Sequence, residues 1–123
     1  MIVINDTHIA ANRVAGTTPA SAAALKQWTI DSLTVFLETV NEDILVAGDL
    51  LDSFHIPNTE LLATYRMMDK WLEKGYGLYI LKGNHDKSKD SSKLSSFDLL
   101  GELLGDRAMF ISHPTRIDGN IYV

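Results

Sequence analysis

Ile44-Leu45-Val46-Ala47-Gly48-Asp49-Leu50-Leu51-Asp52 is the stretch that decides the fold. A short apolar run reads as a buried strand, and Gly48-Asp49 ends it by placing a carboxylate where the strand stops. The same design stands on either side. Upstream, Met1-Ile2-Val3-Ile4 runs into Asn5-Asp6-Thr7-His8; downstream, Leu78–Leu81 leads to Gly83-Asn84-His85-Asp86. Met1–Ile4 is continuously apolar and rich in β-branched residues, which predicts a strand buried on both faces.

Helical patterns fill the gaps. Thr18 can cap a helix whose first position suits Pro19 and which runs to about Val40. Its apolar face is expected to hold Leu25, Trp28, Leu33, Phe36, Leu37 and Val40. Asn58 can cap a second helix with Leu61, Tyr65, Met68 and Leu72 inward, and Gly75 suits its C-terminal turn. Residues 87–96 read as a loop, and Phe97–Leu104 as a short helix closed by Gly105. Met109–Ser112 and Ile121–Val123 read as further strands, joined through a turn at Asp118-Gly119-Asn120. The order is β-α-β-α-β-α-β-β, an α/β fold with a mostly parallel sheet expected to be covered on both faces.

Ligands of such sheets bind outside the carboxyl ends of the strands. All three polar clusters fall there. Asp6 and Asp49 are 43 residues apart, and Asp49 and Asn84 are 35 apart. Each interval accommodates one β-α-β unit, which needs roughly 30 residues or more. The clusters should therefore meet at one sheet edge. Carboxylate, imidazole and amide oxygen suit hard or borderline divalent cations, and Asp49, with two oxygens, can bridge two ions. Gly48 and Gly83 permit close approach or unusual backbone angles before the ligands. Singly, each motif is common by chance or reads as a turn; three in order at strand ends carry the functional reading.

Composition narrows the classes. A chain of 123 residues is at most one domain, and 46% hydrophobic with 22% charged residues excludes a disordered tail. The net charge of −5 excludes nucleic-acid binding by bulk attraction, so bound cations or a local basic patch must face any phosphate. With no cysteine there is neither a disulfide framework nor a thiolate metal site. No targeting segment or membrane-length run is present, which predicts a soluble cytoplasmic protein with no membrane partner.

The three blocks resemble those of the calcineurin-like metallophosphoesterases, D-x-H, G-D-x-x-D and G-N-H-D/E. The resemblance spans residues 1–123 as one domain and implies the N-terminal half of an α/β/β/α sandwich. Gly48-Asp49-Leu50-Leu51-Asp52-Ser53-Phe54, followed by Pro57 and a helix, is most similar to the SbcD-type DNA repair nucleases, versions of which bacteriophages carry. Carried over, Asp6 and His8 would hold one metal, Asp49 would bridge, and Asn84 would hold the second. His85 would face the scissile phosphate as proton donor or charge stabiliser, Asp86 would orient it, and Asp52 would brace the metal loop. The resemblance implies two divalent ions, with Mn²⁺ foremost and Mg, Fe or Zn admitted by the ligand set. It further implies an exonuclease or endonuclease acting on DNA through a hydroxide activated by two metals. An SbcC-type ATPase subunit and a second copy of the chain are the implied partners.

His55, in the loop after the second block, is a candidate substrate contact beside its reading as an exposed loop residue. Lys87 and Lys89, with Lys93, can touch nucleic-acid phosphates, although Asp90 among them also suits a solvated loop. The family's later His and G-H-x-H blocks have no counterpart, and His113 before Pro114 reads as a turn residue. A chain ending in Ile121-Tyr122-Val123 reads as lacking its C-terminal half, with at most one weakly held ion and little activity expected from it alone. Two other functions remain open: a phosphoesterase for small substrates or phosphoproteins, and a catalytically incomplete interaction module.

Overall fold

Four short strands pair in parallel in the order β1-β2-β3-β4: Ile2–Ile4, Ile44–Val46, Leu78–Leu81 and Met109–Ile111. The computed structural model describes residues 1–11, 18–83, 94–118 and 121–122. Helices α1 (Pro19–Thr39), α2 (Asn58–Leu72) and α3 (Ser96–Leu104) are the crossovers, and a 3₁₀ turn (Gly105–Arg107) leads into β4. The α/β order read from the sequence is the one observed.

Helices α1 and α3 start where the sequence supplies a side-chain partner for free amide groups. Thr18 Oγ1 accepts from the Ser21 amide at 3.2 Å and Ser21 Oγ accepts from the Thr18 amide at 2.8 Å, a reciprocal cap ahead of Pro19. Ser95 and Asp98 form the same box on α3, at 2.9 and 3.3 Å. Both Ser95 and Ser96, expected in a loop, are therefore parts of the helix start, and they are buried. On α2 the cap is Pro57 rather than Asn58. The extended ψ of Pro57, 147°, turns the chain out of the helix, while its carbonyl accepts from the Leu61 amide at 3.0 Å. That makes Pro57 the flanking residue and Asn58 the first helical one.

The helices all pack on one face. Ile44, Val46, Leu78 and Ile80 share a core cluster with Ile30 and Leu37 of α1, Met68 and Trp71 of α2, and Leu100 of α3. Successive parallel strands added on the same side, joined by crossovers of one hand, leave every helix on the same face. Helices on both faces are thus not seen among the described residues, although Leu45 and Ile111 of the other face are buried. Register places Val3, Leu45, Tyr79 and Met109 together on the other face, outside that cluster. Val3 is 59% exposed, which corrects the expectation of a first strand buried on both faces: it lies on the helix-free side of an edge strand.

Two further corrections follow from geometry. Trp28 is 66% exposed, not part of the inward face of α1. It lies two residues from buried Ile30, about 200° around the helix. The C-terminal strands also differ from expectation. β5 (Arg116–Asp118) pairs antiparallel with β6 (Ile121–Tyr122), so the turn joins β5 to β6 instead of β4 to the last strand. Arg-Ile-Asp is too short and too charged to announce a strand. No helix of the described residues is long and apolar enough to cross a membrane.

The cap of α3 makes stability pH-dependent. Burial raises the Asp98 carboxyl, but hydrogen bonds from Ser95 and the Lys82 ammonium outweigh it and hold the group below the usual carboxylate range. A carboxyl lowered on folding stabilises above its unfolded pKa, near 3.9, and loses that contribution as pH falls through the folded value. Thermal unfolding across pH should therefore show a flatter acid limb for Asp98→Asn than for the parent. Ser95→Ala should cost about 1 kcal/mol at neutral pH.

Candidate metal centre

Past their last paired residues, β1 and β2 stay in contact. The Ala47 amide donates to Ile4 O at 2.8 Å, and the Asp6 amide to Gly48 O at 3.4 Å. Further on, the His8, Ile9 and Asp52 amides donate to Asp49, Leu50 and Ile9 carbonyls at 3.0, 2.9 and 2.9 Å. Ile9, Leu50 and Leu51 are at most 1% exposed, so apolar anchors alternate with the polar residues and hold both loops to the core.

The polar residues converge. One ligand atom each from Asp6, His8 and Asp49 lies within 4.8 Å of the others. His8 Nε2 is 3.8 Å from Asp6 Oδ1, and its Nδ1 is 3.3 Å from Asp52 Oδ1. The imidazole thus has one nitrogen toward the Asp6 carboxylate and the other toward Asp52. Two carboxylates and an imidazole nitrogen at this separation can hold a divalent cation, with the Asp52 carboxylate facing the other ring nitrogen.

Backbone strain marks the same residues. Asp6, His8, Ala10 and Asp49 all have positive φ, at 53°, 43°, 72° and 48°. The left-handed region costs a residue with a side chain about 1–2 kcal/mol. Such strain persists only where the surroundings over-determine it, and it gathers at functional sites. Two glycines serve the site in different ways. Gly48 has φ 113°, whereas a Cβ on Gly83 would lie 2.3 Å from both the amide nitrogen and Oδ1 of Asp49. The third block therefore begins in contact with the second.

Asn84, His85, Asp86, Lys87 and Lys89, with Lys93, lie outside the described residues. His55 is exposed and stands outside the Asp6–His8–Asp49 group, its ring edge-on to Phe54 at 4.5 Å. Its loop is tied to α3: the Ile56 amide donates to Ser96 Oγ, and the Ser96 amide to Phe54 O, both at 2.9 Å. His113 is exposed and outside the group as well. A groove of about 290 Å³ between α1 and α2 shares none of these residues. There Lys74 Nζ donates to the Leu37, Glu38 and Val40 carbonyls at 3.0 Å and closes the end of α1, a structural task. Sequence reasoning did not single out Thr7, whose hydroxyl donates to Leu50 O at 2.9 Å. Its place between two candidate ligands was the available signal.

Comparison with protein families matches residues 1–121 to the calcineurin-like phosphoesterases, and the chain belongs to that family. No curated protein matches it.

Two substitutions should separate strain from packing. Ala10→Gly relieves left-handed strain but loses a buried methyl and adds unfolded-state entropy, so stability should change by less than about 1 kcal/mol. Gly83→Ala drives a methyl into Asp49 and should cost about 1–3 kcal/mol, the usual range for overpacking. Denaturant unfolding measures both.

Proposed function

From membership of the calcineurin-like phosphoesterase family, we propose that this chain carries the metal-binding part of an SbcD-type nuclease that hydrolyses DNA phosphodiesters. The observation that carries the metal reading is the convergence of Asp6, His8 and Asp49 at the carboxyl edge of the sheet. The nuclease reading is supported by Gly48-Asp49-Leu50-Leu51-Asp52-Ser53-Phe54 running through Pro57 into α2.

In this reading Asp6 and His8 would hold one ion, Asp49 would be shared with a second, and Asn84 would contribute its amide oxygen to that second ion. Asp52 keeps the His8 ring oriented, because a carboxylate on one imidazole nitrogen directs the other outward. Two divalent cations, when bound, lower the pKa of a water and neutralise phosphoryl charge. His85 gives a proton to the departing oxygen, and Asp86 holds His85 in the orientation that requires. Mn²⁺ is the ion proposed. Lys87, Lys89 and His55 are proposed contacts to the nucleic-acid strand. An SbcC-type ATPase and a second copy of the chain are proposed partners.

Bound Mn²⁺ and cleavage of DNA and of a chromogenic small diester, measured in parallel, test this. Asp49→Asn should weaken Mn²⁺ uptake by more than the ~10–100-fold that loss of a supporting residue costs. His85→Ala should lower turnover by roughly 10²–10⁴-fold with Mn²⁺ uptake nearly unchanged, as expected of a proton donor. Hydrolysis of the small ester without any action on DNA would overturn the nuclease assignment. Undiminished Mn²⁺ uptake by Asp49→Asn would overturn the metal assignment.

A further inference from the structure

Thr7 sits between the two candidate ligands of the first block. It faces the other way. Its side chain lines a cavity of about 20 Å³ with Ile4, Leu33 and Leu50, on the core side of the loop. Its hydroxyl donates to the carbonyl of Leu50, 43 residues away, at 2.9 Å. The same carbonyl accepts from the Ile9 amide at 2.9 Å. Leu50 immediately follows Asp49, so this one carbonyl takes two of the bonds that join the Asp6–His8 loop to the Asp49 loop.

We propose that Thr7 is a positioning residue for the metal centre, its hydroxyl setting how far Asp6 and His8 stand from Asp49. The inference rests on the metal reading proposed for this site. Asp6 and His8, the neighbours of Thr7, both occupy the left-handed region, at φ 53° and 43°. Strain of that kind relaxes unless other contacts oppose it. The Asp6 amide offers little opposition, since its bond to Gly48 O is long at 3.4 Å. Among the described residues the Thr7 hydroxyl ties one ligand loop to the other from between the strained pair, beside the contact of the His8 ring with Asp52. Leu50 O would still hold the Ile9 amide without it, so loss of the hydroxyl frees the loop locally and leaves the sheet paired. A metal site tolerates little such freedom, because affinity depends on ligand atoms held within a few tenths of an ångström.

Thr7→Val keeps the shape that fills the cavity and removes only the donor, whereas Thr7→Ser keeps the donor. Titration calorimetry with Mn²⁺ on the full chain, together with thermal unfolding, distinguishes the outcomes. Thr7→Val should weaken Mn²⁺ binding about 10–100-fold while the chain stays folded, and Thr7→Ser should restore most of the affinity. Thr7→Val binding Mn²⁺ as the parent does would overturn the proposal and leave the metal reading intact. So would affinity losses in Thr7→Val and Thr7→Ser alike that merely track lost thermal stability. Should Thr7→Val fail to fold, weakened binding by folded Thr7→Ser would count against the hydroxyl, and parent-like binding would support it. If the parent chain takes up no Mn²⁺, the metal reading itself fails, and Thr7 loses its role with it.

Discussion

The parallel pairing of β1 with β2 does not stop where the strands end, and the site depends on its continuation. Amide-to-carbonyl bonds at His8–Asp49, Ile9–Leu50 and Asp52–Ile9 carry the register through two loops that would otherwise be free. They hold Asp6, His8 and Asp49 in left-handed backbone. The opposing force is burial. Ile9, Leu50 and Leu51 are each almost fully removed from water, and burying an aliphatic side chain of that size stabilises by roughly 1.5–3 kcal/mol. Three such anchors offset the left-handed strain of Asp6, His8, Ala10 and Asp49 at about 1–2 kcal/mol each. Alternation of anchor and ligand is therefore a physical requirement of the site.

The third block is brought in by a different constraint. Gly83 meets Asp49 so closely that any side chain would collide with its amide and carboxylate. Beyond residue 93 comes α3, whose Ser96 is bonded to both Phe54 and Ile56. Both ends of that stretch are thus moored to the segment around the second block. Gly83 packs on one side of Asp49, and α3 holds the loop that follows Asp52.

Charge makes such a site receptive to cations. The chain carries −5 overall, and Asp6, Asp49 and Asp52 gather around one imidazole. Like carboxylates at this separation repel, and a divalent ion is the usual resolution where the donors converge. By contrast, Asp98 already has its partners in Ser95 and Lys82, and its cluster shows what a satisfied carboxylate looks like in this fold.

The order of elements, the caps at Thr18 and the ligand types were legible in the sequence, because they rest on local chemistry: apolar runs, turn residues and side-chain acceptors at fixed offsets. So was the meeting of Asp6 with Asp49, since crossover length and strand order predict it. Trp28 falls outside the inward face because helical period fixes a face only once the core is known, and the buried residues of α1 are Ile30 and Leu37. The helix-free side of the sheet was decided by topology: each crossover steps in the same direction, which no local pattern records. Likewise the left-handed backbone at His8 and Ala10, the contact of Gly83 with Asp49, and the bond from Thr7 to Leu50 arise between residues tens of positions apart. The sequence by itself determined which groups are available for chemistry. Only the tertiary structure decided their spacing and strain, because those depend on strand register and on which side chains the core takes in.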